Sequence, residues 1–381
     1  MLVILSTIEE ALDTIEPKIS WADIAKAAGI TNSALSHFKK GTELKFPTLL
    51  KIAKFIFKSN YFNIFKTWCM NLQQPKNVRY AMEFLAVNKL VDDLDELISR
   101  VIQFHNNQEL LEWTTAYKIQ VMYLRKEPIS KVSNEIRSFS PKSVELKMLM
   151  SILEASCKHR FGDYNSMAAV VEGLMDTLNE IDEDFIKDSF EIRIKELLSY
   201  VNLYTYNKPE EARIYAKEII SSDFCATLTA HSFYIVGMSH LLDNYDECLG
   251  NIIKYRDLLI NLGRMEDAKI VDENDIPFVK NVWMKHSKRP ITSDISEIAH
   301  FEALMGDKEE SIRLIDSVIE QVGVNGFKLY YKGLATGDKS LFVQSIVCFT
   351  KQNGKFFANL PYRFVKDDPM FASIAKLLMQ D

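Results

Sequence analysis

Residues 21–58, WADIAKAAGITNSALSHFKKGTELKFPTLLKIAKFIFK, decide how the chain is read. Ser20 stands just ahead of them and is suited to cap a helix that begins at Trp21. Ile24, Ala25 and Ala28 fall on one face, and the two alanines leave room for a second helix to cross closely. Gly29 sits where the chain must turn, and Ile30 plugs that turn. Thr31 or Asn32 caps the next helix, which runs to about Lys40. Within it Leu35 and Phe38 share the inner face, three residues apart. Asn32, Ser33, Ser36, His37, Lys39 and Lys40 are left outside, and Gly41 stops the helix. KFPTLLKIAKFIF then supplies a further helix with Leu49, Leu50, Ile52, Ala53 and Ile56 inward and Pro47 near its start.

This succession of turn glycine, inner apolar pair, stop glycine and following helix resembles the phage-repressor (Cro-like) helix-turn-helix over about forty residues. The resemblance implies that residues 31–40 are a recognition helix entering the major groove of double-stranded operator DNA. Asn32, Ser33, Ser36 and His37 would face base edges, with Thr31 at the helix start also among the DNA-binding residues, and asparagine is suited to adenine. Lys39, Lys40 and Lys45, together with Lys26, would hold phosphates. Charge supports this. Residues 18–66 carry nine lysines against Asp23 and Glu43, a local balance of +7, in a chain whose total is -6. A basic module on an acidic body is the footprint of a segment that meets phosphate backbones while the rest does not. The competing reading is a three-helix protein-interaction module with solvated lysines.

Upstream, Val3, Ile4, Leu5, Ile8, Leu12 and Ile15 have helical spacing, and Pro17 ends that helix. Downstream of residue 77 strand signals are almost absent. Helical stretches pair at 78–88 with 91–104, 109–125 with 129–138, 144–159 with 164–178, 185–205 with 210–221, and 226–242 with 245–262. Turn residues punctuate them: Gly162-Asp163, Asn207-Lys208-Pro209, Asp243-Asn244, Gly306-Asp307 and Gly337-Asp338. The spacings between these breaks fit a degenerate helical-hairpin repeat of the tetratricopeptide kind. The expected architecture is therefore all-α: an N-terminal helix-turn-helix, residues 1–75, then a superhelix of hairpins, 76–365, then a capping or dimerising helix, 366–381. The segments 272–277 and 287–294 read as breaks, and could form a hinge. At the end Met370, Phe371, Ile374, Leu377 and Leu378 are expected on one face, favouring a homodimer, which helix-turn-helix half-sites usually require.

Chemistry is sparse. No GxxxxGK[ST], GxGxxG, HExxH, CxxC or GxSxG occurs, so no cofactor, metal or enzymatic activity is expected. Five scattered cysteines fit buried thiols in a reducing cytoplasm. No apolar run is long enough to span a membrane, and the N-terminus lacks the pattern of a signal peptide. Glu297 and His300 lie three apart on one helix and are read as a structural pair. A concave hairpin array suits an extended peptide held by side chains from successive helices.

The runs KNVWMK (280–285), SDISEIAHF (293–301) and YYKGLATGDKSLFVQSIVCFTKQNGKFFANLP (330–361) resemble the arbitrium peptide receptors of Bacillus phages. That resemblance implies a homodimeric transcription factor in the host bacterial cytoplasm that promotes the lytic programme. A short secreted communication peptide, imported by the host, would bind the repeats and turn the decision to lysogeny. By residue, Asn202 falls on a pocket asparagine, and a second falls near Tyr206 or Asn207. Glu297 falls on an acidic residue that pairs with a cationic peptide side chain. Thr227 stands where the family has an arginine, Met238 where it has an asparagine, and Asn353 beside the place of an aspartate. These departures imply a different cognate peptide or a locally different alignment. Two alternatives share the architecture: a bacterial quorum-sensing regulator, and a tetratricopeptide-like interaction module that does not bind DNA.

Overall fold

The computed structural model describes residues 1–182, 184–351 and 354–380, apart from the side chains of Ser59 and Gln380. Every regular element among them is a helix, and the all-α expectation holds, with an N-terminal helix-turn-helix followed by successive helical hairpins. The chain packs as two compact units, Met1–Leu153 with Leu178–Phe190, and Glu154–Thr177 with Glu191–Asp381.

The first unit opens with helix Leu2–Thr14, which buries Ile4, Leu5, Ile8 and Ala11. Helix Trp21–Ala28 starts at a capping box: the Asp23 amide donates to Ser20 Oγ at 3.2 Å, and the Ser20 amide donates to Asp23 Oδ2 at 2.9 Å. It ends at Gly29, whose φ of 68° is the left-handed conformation that only glycine adopts freely. Helix Asn32–Lys39 follows, then Phe46–Phe57 with Pro47 in its first turn. Phe46 is fully buried and centres an aromatic cluster, its ring 5.0 Å from Phe65 and 4.7 Å from Phe185. Glu43 ties the preceding loop to the start of helix Pro75–Val87 by accepting from the Gln73 amide and from Asn77 Nδ2, while the Phe46 amide donates to Asn77 Oδ1. Hairpins of Pro75–Val87 with Val91–Phe104, and of Gln108–Leu124 with Ile129–Ser138, extend the unit. Between them Glu83 is fully buried and accepts from Tyr117 Oη at 2.7 Å and from Ser189 Oγ at 2.5 Å.

In the second unit most helices pack chiefly on their neighbours in sequence, as hairpin repeats do, whereas helix Pro369–Gln380 packs chiefly on Lys339–Lys351. The pair Gly326–Thr336 and Lys339–Lys351 shows how closely. A Cβ on Gly326 would lie 2.7 Å from the Phe349 ring, and one on Gly333 would lie 2.8 Å from the Phe342 ring. Both glycines and both phenylalanines are seven apart, so two turns of each helix interlock.

Three expectations change. Residues 272–277 are not a break: helix Met265–Ile270 continues through the π-turn Val271–Asp275 into Ile276–Val282. Pro277 removes one amide, and the Glu273 carbonyl takes the Thr292 hydroxyl. The stretch 164–178 is two helices, Tyr164–Val171 and Leu174–Leu178, separated at Gly173, whose φ is 83°. The five apolar residues of helix Pro369–Gln380 do not share a face. Phe371 and Leu378 pack on the core around Ala375, whereas Met370, Ile374 and Leu377 are exposed.

Candidate functional site

The recognition helix is short and depends on its ends and its two inner residues. Thr31 caps it, its hydroxyl accepting from the Ala34 amide at 3.2 Å. Leu35 and Phe38 are buried, and burial of Phe38 alone contributes roughly 2–3 kcal/mol. Asn32, Ser33, Ser36, His37, Lys39 and Lys40 are all exposed, so the two faces divide as the periodicity predicts. Lys39 Nζ lies 4.3 Å from the Trp21 ring centroid, which holds the lysine across the first helix of the motif. Lys26 in the last turn of that helix and Lys45 at the start of Phe46–Phe57 are also exposed. No acidic side chain forms an ion pair with Lys26, Lys39, Lys40 or Lys45 among the described residues, leaving their charge for a polyanion.

The second unit contains a cavity of about 320 Å³. Its walls are aromatic: Tyr234, Phe278, Phe327, Tyr331 and Phe357. The Phe278 and Phe327 rings meet edge to face at 5.7 Å, and Phe327 meets Phe357 at 5.0 Å. Polar groups enter from separate elements: Asn274 and Asp275 from the π-turn, Asp294, Ser296 and Glu297 from the start of helix Ile295–Met305, and Asn325 and Lys328 from the start of Gly326–Thr336. Glu297 is buried and firmly held. Tyr331 Oη donates to its Oε1 at 2.6 Å, Asn281 Nδ2 donates to its Oε2 at 2.9 Å, and His300 Nδ1 lies 3.1 Å from the same oxygen. His300 in turn stacks on Tyr331 at 4.1 Å, so the Glu297–His300 pair is part of a built network, as expected of a structural pair.

Asp275 is different. Its carboxyl accepts no hydrogen bond among the described residues. Burial, and then the charge of Glu297, push it up to about 7. Burial, with the Glu297 charge second, also raises Asp294, whose carboxyl caps its helix by accepting from the Ser296 amide. Burial lowers Lys328, whose Nζ donates to the Gly323 carbonyl at 2.6 Å. The cavity therefore holds three carboxyls against one lysine that is already engaged.

The residues assigned by resemblance are only partly gathered. Glu297 and Met238 line this cavity together. Tyr206 and Asn207 line a second one, of about 370 Å³, with Thr205, Lys208, Lys355 and Met379. Tyr206 Oη donates to Glu172 at 2.5 Å, and Asn207 adopts φ 52° and accepts from Asn359. Asn202 lies on the π-turn Val201–Thr205, but its amide donates to the Leu198 carbonyl and it lines neither cavity. Thr227 is buried in helix Ala226–Ser239 and also lines neither. Asn353 lies outside the described residues. Sequence reading missed Asp275, Lys328 and the aromatic walls. The run VDENDIPF was their one signal, and its Pro277 made it look like a loop. Among the described residues no helix is long and apolar enough to cross a membrane, and no cluster of side chains could hold a metal ion.

Comparison with known proteins agrees with both regions. A helix-turn-helix family model matches residues 8–59, and the model described as AimR transcriptional regulator-like matches residues 62–366. The AimR transcriptional regulator of Bacillus phage SPbeta is 25% identical over 362 residues, covering 90% of each chain. That of Bacillus phage phi3T is 24% identical over 325 residues, covering 82% of this chain and 83% of its own. In fold, the chain resembles the solved structure of phAimR, with a TM-score of 0.72 at 22% identity over 99% of this chain and 100% of that one. It also resembles the ligand-bound phAimR structure, with a TM-score of 0.73 at 22% identity over 85% and 97%. The chain belongs to the AimR transcriptional regulator-like family, with a helix-turn-helix at its N-terminus.

Proposed function

We propose that this regulator binds operator DNA as a homodimer and is switched by a short communication peptide, setting the choice between lysis and lysogeny in the host cytoplasm without a catalytic step. Residues 1–75 form the DNA-binding domain, 76–365 the peptide sensor and 366–381 the capping and dimerising helix. The observation that carries this reading is the presence, in one chain, of an unpaired polar and basic recognition face and an acidic, aromatic cavity open to solvent. Asn32, Ser33, Ser36 and His37 read bases, while Lys26, Lys39, Lys40 and Lys45 hold phosphates. Glu297 and Met238 receive the peptide, with Asn202, Tyr206, Asn207, Thr227 and Asn353 as further contacts by family resemblance. Met370, Ile374 and Leu377 form the apolar face free for a second copy. The ligand-bound phAimR structure supports a ligand site in this fold.

A peptide that favours one arrangement about 10²-fold supplies about 2.7 kcal/mol, enough to shift DNA affinity if recognition-helix spacing must match half-sites. The test is a titration of the protein against its own upstream DNA at two salt concentrations, with and without peptides encoded beside the gene. Replacing Lys39 and Lys40 together by Ala should weaken binding to all sequences and reduce the log–log salt slope by about 2. Absence of sequence-specific binding at moderate salt would overturn the proposal.

A further inference from the structure

We infer that Glu43 and Asn77 are positioning residues for DNA recognition: they clamp the recognition helix to the first helix of the hairpin array and thereby fix the half-site spacing that the protein accepts. This rests on the reading of the chain as a dimeric operator-binding regulator. Neither residue belongs to the recognition face, and each acts through the backbone that it holds.

The clamp begins at the recognition helix itself. Lys40, Gly41 and Thr42 separate Lys39 from Glu43. All three amides donate back into the last turn, Lys40 to Ser36 and His37, Gly41 to Phe38, and Thr42 to His37. The connection therefore has no slack. Glu43 then accepts from the Gln73 amide at 2.9 Å, the Gln74 amide at 3.2 Å and Asn77 Nδ2 at 2.7 Å. Its own carbonyl takes the Gln74 side-chain amide at 3.2 Å. Asn77 is buried and fully used: Nδ2 also donates to the Leu44 carbonyl at 2.8 Å, and Oδ1 accepts from the Phe46 amide at 2.8 Å. The Phe46 ring backs this joint, packing on Tyr80 and Phe84 of the same array helix.

Two observations give the clamp a role in recognition. Glu43 is the only acid between Asp23 and Glu83, in the segment whose lysines meet phosphates, where a free carboxylate opposes DNA binding. It forms no ion pair with those lysines among the described residues, and its charge faces the amides at the positive end of helix Pro75–Val87. The second observation is that the bonds run only between residues 43–46 and 73–77, which join the helix-turn-helix to the start of the array. A buried polar network with every member satisfied is rigid, and a rigid joint here transmits the orientation of the array to the recognition helix.

The experiment is a titration of the full-length protein against three fluorescent duplexes built from its own upstream DNA. One carries both half-sites, one has two base pairs inserted between them, and one carries a single half-site. The insertion turns one half-site relative to the other by about 70° and moves it by about 7 Å. Wild type should bind the lengthened operator roughly 100-fold less tightly than the native one. In Glu43→Ala that penalty should shrink to about tenfold or less, because the freed motif reorients, while half-site affinity does not fall. The penalty is a ratio measured on one protein, so the charge removed with Glu43 cancels from it. Asn77→Ala should show the same pattern. Glu43 is only half-buried, so its variant carries the test even where Asn77→Ala does not fold. An unchanged penalty in Glu43→Ala, or a wild type that accepts both spacings equally, overturns the inference and leaves the operator reading in place. Loss of half-site binding in Glu43→Ala also overturns it, because the clamp then serves the fold of the motif and not its orientation. If wild type binds none of the duplexes, the operator reading falls and the inference with it.

Discussion

The recognition face and the cavity are both polar, but they are built in opposite ways. The face comes from one eight-residue helix whose outward positions are all in water. The cavity gathers side chains from Tyr234 to Phe357, contributed by five separate helices and a π-turn. Polarity on the face is free of desolvation cost, so those residues can be chosen for binding alone. In the cavity a polar group that is taken out of water must find a partner or change its protonation. Glu297 illustrates the first solution and Asp275 the second. Mutations should therefore separate binding from stability on the face and entangle them in the cavity.

The largest effect tests that separation within a single helix. Phe38→Ala should destabilise the protein by about 3–5 kcal/mol, because it empties a fully buried site. Ser36→Ala, two residues away and exposed, should stay within about 0.5 kcal/mol of wild type. Denaturant midpoints measured side by side would show it, and comparable losses would mean that the outward face is structural. In the cavity, Glu297→Leu should cost roughly 2–3 kcal/mol before any ligand is considered. It strands Tyr331 and His300 and leaves Asn281 only the Glu297 backbone carbonyl, and the His300 Nε2 and Asn281 Oδ1 atoms already lack partners. A Glu297→Leu variant as stable as wild type would show that the network carries no structural load.

These differences explain what could be read from sequence. Gly29, Leu35, Phe38 and Gly41 specify the helix-turn-helix through contacts a few residues apart, so periodicity revealed both the motif and its outward face. The helical hairpins were legible for the same reason. Helix Pro369–Gln380 was not, because Met370, Ile374 and Leu377 form one apolar stripe and Phe371, Ala375 and Leu378 another beside it. Only packing on Ala358, Leu360 and Val365 selects the second stripe as the buried one. Asp275 was hidden for a different reason. Proline after a run of acidic residues and asparagine reads as a loop, whereas the chain absorbs it in a π-turn. The aromatic walls come from positions over a hundred residues apart, and no local pattern links Tyr234 to Phe357.

Asp275 also makes a prediction about the unliganded protein. Its carboxyl is raised to about 7 in the folded state, against an ordinary value near 3.8. Between those values the folded state binds more protons than the unfolded one, so stability falls as pH rises through this window. Above pH 7 the ionised carboxylate weakens the fold. Asp275→Asn, which mimics the protonated form, should stabilise the ligand-free protein at pH 8 by on the order of 2 kcal/mol, with little effect at pH 4. Thermal melting at the two pH values measures this. Equal shifts at both would show that the side chain acts through packing and not through charge.

The smallest effect lies back on the recognition helix, at Thr31. Family resemblance placed this residue among the DNA contacts, while the structure gives its hydroxyl a job within the protein, accepting the Ala34 amide. Helix Asn32–Lys39 has only eight residues, so one satisfied amide at its start is a sizeable share of its order. Thr31→Ala should cost about 1 kcal/mol, and Thr31→Ser, which retains the acceptor, only a few tenths. The two substitutions also separate capping from recognition. A cap acts through the placement of Asn32 and Ser33, so operator affinity should follow helix stability: reduced in Thr31→Ala and restored in Thr31→Ser. A direct contact through the threonine methyl would instead weaken binding in Thr31→Ser while leaving its stability intact. Melting curves and operator titrations on the same two variants decide between these outcomes. The first pattern would make Thr31 the one member of the recognition face that, like the cavity residues, cannot change binding without changing the fold.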